Sequence, residues 1–287
     1  MIVEKAPAKI NLYLHVGSLR HDGLHELSSL FVFAKEGDRV SVAAAPELSL
    51  KIEGPFAGAL SGLPEEKNLV WRAASMLREK TGICEGAALS LQKNLPIASG
   101  VGGGSADAAA ALRALMRLWR PDFSDEALFD LAFGLGADVP ACLTAAPIYV
   151  SGAGEQIKPG PPLPPLWICL VNPGVDMPTG AIFQAFDKVH PAPALPAATM
   201  VEVSDYERLA ASLKSTRNDL EPIARNQAPE IGEVIEFLAE EPGALIARLS
   251  GSGATCFALF ASAAAAVAAE GRASARNWWA LASPLCT

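Results

Sequence analysis

The sequence predicts a fold that combines an antiparallel sheet with helices. Two observations support this prediction. Apolar and polar residues alternate near the N-terminus and are followed by an Asp-Gly turn, and further along the chain a glycine cluster separates a strand from an alanine-rich helix. Strands joined by tight turns pair antiparallel.

Composition limits the kinds of function that the chain can have. The chain has 287 residues, of which 51% are hydrophobic and 19% charged, as in one large or two ordinary globular domains. Its net charge of −8 argues against nucleic acid as the main partner, because no basic excess neutralises phosphates. No apolar run reaches the roughly 20 residues of a membrane span. Five scattered cysteines predict reduced, buried thiols in a cytoplasmic protein.

The N-terminal third predicts consecutive strands. Residues 8–16 alternate between an apolar face and a polar face that carries Lys9 and Asn11. The Asp22-Gly23 pair predicts a hairpin turn. Two further strands are expected at residues 27–34 and 38–45, separated at Gly37.

The middle third predicts helices around one strand. A helix over 68–80 is expected to be capped by Asn68 and to end before Gly82. A strand over 87–93 leads into the glycine cluster, and a helix is expected from Ser105 onward. On that helix, three arginines form a predicted solvated face: Arg113, Arg117 and Arg120. Ser124 predicts the start of another helix.

The last third begins with a change of composition. Five prolines in residues 158–166 predict a boundary between an N-terminal domain, 1–157, and a C-terminal domain, 167–287. The segment "GALIARLSGSGATCFALFA" predicts two strands joined by a second glycine loop. A helix is expected over 262–270, and a mobile surface loop over 191–197.

The cluster "SGVGGGSADAAAA" places four glycines in five positions directly before a helix. The first turn of a helix has backbone N–H groups without intrahelical partners and partial positive charge, and glycines let backbone amides approach an anion closely. A phosphate site is therefore predicted, with the hydroxyl of Ser105 available to a phosphate oxygen or to Mg²⁺. The alternative is that the glycines only permit a tight turn.

Phosphoryl transfer needs a cation, and this cluster lacks the lysine of a P-loop. Lys9 is the first candidate and Lys93 the second; the alternative for Lys9 is a solvated strand lysine. Asp138 in "LGADVP" is surrounded by small and apolar residues, which favours a base for a hydroxyl proton. The alternative is a helix-cap or turn aspartate. The "SGSG" segment taken alone is compatible with an ordinary hairpin turn.

The order of three motifs resembles that of the GHMP kinase superfamily. These are "PAKINLYLHV", "PIASGVGGGSADAA" and "LSGSGATCF". Additional matches, including "RHDGLHEL", "GLGADVP", "NPGVDMPTGAIF" and "RNDLE", are similar to the subfamily whose substrate is a cytidine diphosphate ester of methylerythritol in the non-mevalonate isoprenoid pathway. The resemblance covers nearly the whole chain. It implies a two-lobed α+β fold of mostly antiparallel sheets with packed helices and a cleft between the lobes, ATP as donor and Mg²⁺.

The resemblance also implies roles for individual residues. Lys9 and Asp138 match the catalytic pair. The residues that match ATP-binding positions are Asn68, Lys93, Pro96, Ile97, Ala98, Ser99, Gly100, Val101, Gly102, Gly103, Gly104, Ser105 and Ala106. Of these, Asn68 and Lys93 match positions near the nucleotide base. The residues that match substrate-binding positions are Asn11, Leu24, His25, Thr179, Phe183, Gly251, Ser252 and Gly253. His25 and Phe183 are expected near the cytosine. Leu24 stands where the family commonly has a tyrosine that stacks on cytosine.

Three other functions are compatible with the motifs. One is a GHMP kinase for another alcohol, such as homoserine or mevalonate, and another is a decarboxylase on the same fold. The third is a catalytically silent nucleotide-binding regulator, which would need neither Lys9 nor Asp138. The expected partner is a small molecule that carries cytidine diphosphate, with no nucleic acid or membrane, and the expected assembly is a monomer or weak homodimer.

Overall fold

A computed structural model describes residues 1–190 and 200–286. The loop predicted over 191–197 lies outside the described residues. The strands follow one another in this order: β1 (Ile2–Leu19), β2 (His25–Ala45), β3 (Ser49–Glu53), β4 (Gly86–Gln92), β5 (Ile148–Gly152), β6 (Gln156–Pro159), β7 (Trp167–Asn172), β8 (Ala244–Leu249), β9 (Cys256–Phe260) and β10 (Trp279–Pro284).

The helices come in runs between runs of strands, and together with the antiparallel sheets they confirm the α+β prediction. They follow one another in this order: α1 (Leu69–Thr81), α2 (Gly103–Trp119), α3 (Asp125–Leu135), α4 (Val139–Thr144), α5 (Thr179–Val189), α6 (Tyr206–Lys214), α7 (Glu221–Gln227), α8 (Pro229–Glu240) and α9 (Ala263–Ser274). No helix in the described ranges is both long and apolar enough to cross a membrane.

The chain forms two compact units. The first comprises Met1–Ala8, Glu36–Ile97 and Gly102–Ala145, and the second comprises Lys9–Lys35, Ala98–Val101 and Ala146–Thr287. The units are interleaved along the chain, whereas the sequence-based domains 1–157 and 167–287 follow chain order. A domain boundary at 158–166 stays a prediction.

In the first unit, the second half of β2 pairs antiparallel with β4, and β3 pairs parallel with β4. Helix α1 packs on α2, and α2 packs on α4. The predicted capping of α1 is confirmed: Asn68 Oδ1 accepts a hydrogen bond from Val70 N, and Gly82 ends the helix at φ +69°. Ser124 likewise caps α3 through Ala127 N.

The predicted break at Gly37 is wrong, because β2 continues through it. A Cβ built on Gly37 would lie 2.2 Å from the carbonyl oxygen of Ala6. The glycine therefore permits a close approach of β1 to β2 and does not make a turn.

The prediction that Arg113, Arg117 and Arg120 form a solvated face is also partly wrong. Arg113 donates hydrogen bonds to the carbonyl oxygens of Lys5 and Cys142 instead of facing only solvent.

In the second unit, the first half of β2 pairs with β5, and β5 pairs with β6. A four-stranded antiparallel sheet has the order β10-β7-β9-β8, which confirms the two predicted strands around the "SGSG" loop. Helices α8 and α9 pack on this sheet over an apolar core that includes Phe260, Leu249 and Ile231. Three of the five cysteines are buried as predicted, whereas Cys84 is exposed and Cys286 is half-buried.

Candidate active site

The glycine-rich segment, residues 96–106, begins after β4 and continues into the first turn of α2. This helix begins at Gly103, two residues earlier than predicted, with Gly102 at the N-cap in the left-handed region (φ +62°). Gly104 and Ser105 therefore lie in the first helical turn, where backbone N–H groups and the helix dipole favour an anion. Gly104 is exposed and Ser105 is half-buried, which leaves this turn accessible.

The part of the loop that belongs to the second unit contacts β1. The backbone N–H of Lys9 donates to Val101 O over 2.9 Å. The Lys9 side chain is only 5% exposed; its Nζ donates to Asn11 Oδ1 over 2.9 Å and lies 4.3 Å from the ring centroid of Phe31. The alternative interpretation of Lys9 as a solvated strand lysine is therefore wrong. A buried ammonium held by an amide oxygen is a preorganised cation.

The "SGSG" loop packs directly on the glycine-rich segment within the second unit. Ser250 Oγ donates to Gly100 O over 3.0 Å and accepts from Asn11 N over 3.3 Å. Thr255 N donates to Ser99 O over 3.0 Å. A Cβ on Gly100 would lie 2.4 Å from Ser250 O, and the residue has φ +77°. Only glycine fits there, so this loop is more than an ordinary hairpin turn.

Asn218 supports this arrangement, and the sequence motifs did not assign it a role. Its Nδ2 donates to Leu249 O over 3.0 Å and to Gly251 O over 2.8 Å, and the side chain is 4% exposed. The asparagine lies in the quoted "RNDLE" segment, so the signal was present. Its target, a backbone carbonyl 33 positions away, is not visible in the sequence.

His25 is held by helix α5. Its Nε2 lies 2.7 Å from Asp187 Oδ1, and its ring centroid lies 4.9 Å from that of Phe183 at an interplanar angle of 33°. Leu24 beside it is 45% exposed. His25 and Phe183, which sequence reasoning placed in one subsite, are therefore neighbours. Asp187 was missed, because nothing in its local sequence distinguishes it.

Thr179 and Ser252 are also brought together. Their hydroxyl oxygens lie 2.9 Å apart, with Thr179 at the first position of α5. The "SGSG" loop thus contacts α5 as well as the glycine-rich segment, all within the second unit. The substrate-binding roles of these residues stay predictions.

Asp138 occupies the N-cap position of α4 and is half-buried. Its side chain makes no capping hydrogen bond to this helix, whose residues the structure describes throughout. The interpretation as a capping side chain is therefore wrong, whereas Asp138 does lie in the turn that precedes the helix. Arg113 fixes the same helix through its hydrogen bond to Cys142 O over 2.9 Å. Asp138 and Lys9 belong to different units, and their catalytic pairing stays a prediction.

Lys93, the second candidate for the cation in phosphoryl transfer, is buried and paired with two carboxylates. Its side chain is 3% exposed, and Nζ binds the carboxylates of Asp38 and Asp107, the latter over 2.7 Å. Burial raises the pKa of Asp107, and the charge of Lys93 opposes that rise. Burial alone would lower the pKa of Lys93, but the two carboxylates outweigh it and raise that pKa. Neither aspartate was singled out from the sequence.

The described residues contain no cluster of three or more His, Cys, Asp or Glu side chains arranged to hold a metal ion. A hydroxyl such as that of Ser105, combined with phosphate oxygens, is nevertheless a suitable donor set for Mg²⁺, which prefers oxygen and keeps several waters. The accessible first turn of α2 carries this hydroxyl.

Both halves of the chain match models of one protein family. The model of the GHMP kinases N terminal domain matches residues 68–146, and that of the GHMP kinases C terminal region matches residues 193–277. A 4-diphosphocytidyl-2-C-methyl-D-erythritol kinase of Parvibaculum lavamentivorans is 51% identical over 97% of this chain and 96% of its own length. A kinase of the same name from Jannaschia sp. is 47% identical over 98% of this chain and 96% of its own length.

Solved structures agree with these sequence comparisons. A crystal structure of 4-(cytidine 5'-diphospho)-2C-methyl-D-erythritol kinase superposes with a TM-score of 0.80 at 34% identity, covering 100% of both chains. A homoserine kinase from Cytophaga hutchinsonii has a TM-score of 0.71 at 21% identity and covers 99% of this chain and 95% of its own. This similarity shows the shared fold alone. The chain belongs to the GHMP kinase family, among the 4-diphosphocytidyl-2-C-methyl-D-erythritol kinases.

Proposed function

We propose that this protein transfers the γ-phosphoryl group of ATP to the 2-hydroxyl of 4-diphosphocytidyl-2-C-methyl-D-erythritol. The observation that carries the proposal is the 51% identity, over 97% of the chain, to a relative named for that activity. The fixed neighbourhood of Lys9, Asn11 and the "SGSG" loop supports it, since a preorganised cation beside a glycine-rich loop suits phosphoryl transfer.

The glycine-rich segment would bind the triphosphate. Backbone N–H groups in the first turn of α2 provide donors and partial positive charge, and the glycines leave room for phosphate oxygens. Ser250 and Thr255 hold the carbonyl oxygens of Gly100 and Ser99, so the loop geometry exists before ATP arrives. Preorganised donors stabilise the transition state without reorganisation at the moment of reaction.

Asp138 would act as the base. Its carboxylate accepts the proton of the 2-hydroxyl as that oxygen forms a bond to the γ-phosphorus, and ADP leaves with the electrons of the broken phosphoanhydride bond. The Lys9 ammonium would stabilise the charge on the transferred group, with Asn11 Oδ1 fixing the position of Nζ. Mg²⁺, held by phosphate oxygens and the Ser105 hydroxyl, supplies further charge neutralisation when bound.

The cytidine end of the substrate would lie against His25 and Phe183. Phe183 offers an aromatic face, and the imidazole beside it offers a hydrogen-bonding edge to the base. Leu24 offers no second aromatic face, so stacking depends on Phe183 alone among the residues proposed for this subsite. We also place the protein in the cytoplasm as a monomer or weak homodimer, without nucleic acid or membrane as a partner.

Asp138→Asn tests the proposed mechanism. The amide keeps the shape but cannot accept the hydroxyl proton, so kcat should fall by about 10²- to 10⁴-fold while the Kd for ATP changes little. Asp130→Asn, at an exposed position on α3, is the matched control and should retain wild-type turnover. Turnover of Asp138→Asn within a few-fold of wild type would remove Asp138 from the role of base.

A further inference from the structure

Three buried charged residues join the two ends of the glycine-rich segment within the first unit. Lys93 follows the last residue of β4 and precedes the segment by three residues. Asp107 lies on α2, directly after the segment. Lys93 Nζ binds Asp107 Oδ2 over 2.7 Å and also binds Asp38 Oδ2. The relative exposure of the three side chains is between 0% and 3%.

The third residue, Asp38, holds the backbone on the entry side. Its Oδ1 accepts hydrogen bonds from the N–H groups of Asn94 and Leu95, the latter over 2.9 Å. Asp38 therefore fixes the course of the chain as it leaves β4. The ammonium of Lys93 then connects this carboxylate to α2, one helical turn beyond the glycines.

The ammonium also lies directly behind the first turn of α2. A Cβ built on Gly103 would lie only 3.0 Å from Lys93 Nζ, so glycine at this position allows the contact. The Oδ1 atom of Asp107 is buried and has no hydrogen-bond partner among the described residues. An arrangement that leaves a buried polar atom unsatisfied is costly, which indicates a role other than maximal stability.

We propose that Asp38, Lys93 and Asp107 form a clamp that positions the phosphate-binding backbone, so that Lys93 acts from behind the glycine-rich segment and does not contact the adenine base. The proposal rests on the proposed function only in taking ATP as the donor. Asp38, Lys93 and Asp107 are positioning residues. The Lys93 ammonium is buried and paired with two carboxylates, and it lies next to Gly103, so a displacement of the ammonium would move the first turn of α2.

The clamp and a direct contact with the base lead to different results with a ligand that has no base. Inorganic tripolyphosphate occupies only the phosphate-binding backbone. If Lys93 acts through that backbone, a change in the clamp should weaken ATP and tripolyphosphate by the same factor. If Lys93 contacts the base, ATP should be weakened and tripolyphosphate should not.

Two variants test this with calorimetric titration of ATP and of tripolyphosphate, each with Mg²⁺. Asp107→Asn keeps the side-chain shape and one accepting oxygen. The double variant Lys93→Met/Asp107→Asn removes one cation and one anion together, so the net charge of the cluster is unchanged and Asp38 keeps its two backbone donors. The control, Lys80→Met/Asp130→Asn, removes the same charges from exposed positions on α1 and α3.

We expect the double variant to weaken ATP and tripolyphosphate equally, by at least about tenfold, since charge-assisted hydrogen bonds are lost. Asp107→Asn should weaken both by a smaller common factor, and the KM for the alcohol should stay at its wild-type value. The control should match wild type. Loss of ATP affinity alone, or wild-type affinity for both ligands, would overturn the clamp. These titrations need no alcohol, so the clamp is tested separately from the proposed acceptor.

Discussion

Gly100→Ala should disrupt the phosphate-binding loop more than its size suggests. Gly100 has φ +77°, and a Cβ there would lie 2.4 Å from Ser250 O and 2.8 Å from Gly253 O. Both oxygens belong to backbone, so no flexible side chain end can move aside. Either the glycine-rich segment or the "SGSG" loop has to shift by several tenths of an ångström.

The cost has two parts. The left-handed conformation costs an alanine about 1–2 kcal/mol. Forcing a methyl group into a packed site typically costs another 1–3 kcal/mol, so the free energy of unfolding should fall by about 2–5 kcal/mol in total. A displacement of that size at the phosphate site is expected to lower kcat/KM for ATP by up to about 100-fold.

Gly174→Ala separates the two parts of the cost. Gly174 belongs to the same unit and has φ +81°, but no atom lies within 4 Å of a Cβ built there. It should therefore lose only the conformational part, with wild-type kinetics. Urea denaturation and steady-state kinetics with varied ATP measure both effects. If the two variants lose equal stability and both keep wild-type kcat/KM, the steric argument is refuted.

Two further predictions concern the sites on either side of this loop. Ser105→Ala should raise the KM for ATP more than the KM for the alcohol, because the hydroxyl serves the phosphates; equal increases would contradict that role. Leu24→Tyr should lower the KM for the cytidylylated alcohol by about fivefold or more, since stacking on a base contributes about 1–3 kcal/mol, while the KM for ATP stays constant.

Helix ends and the order of strand, loop and helix were predictable, because residue type and hydrophobic periodicity within a short stretch of the chain determine them. Asn68 caps α1 and Gly82 ends it, as their residue types and spacing indicated. The strand, glycine loop and helix around Gly102 follow from a change of periodicity over some 20 residues, which needs no knowledge of distant parts of the chain.

Features that depend on distant partners were not predictable. Gly37 looks like a turn residue, and only the approach of Ala6 explains it. Lys93 looks like a second phosphate cation, and only Asp38, 55 positions away, reveals the buried ion pair. Asp187 lies 162 positions from His25. A single sequence contains no signal for such pairs, since either member has an ordinary local environment.

The central claim is tested most directly by measuring ADP release with Mg-ATP and a panel of alcohols. The panel contains 4-diphosphocytidyl-2-C-methyl-D-erythritol, free methylerythritol phosphate, homoserine and mevalonate. Turnover with the cytidylylated alcohol alone is the predicted result. Turnover with another alcohol, or ATP binding without any turnover, would contradict the proposed function.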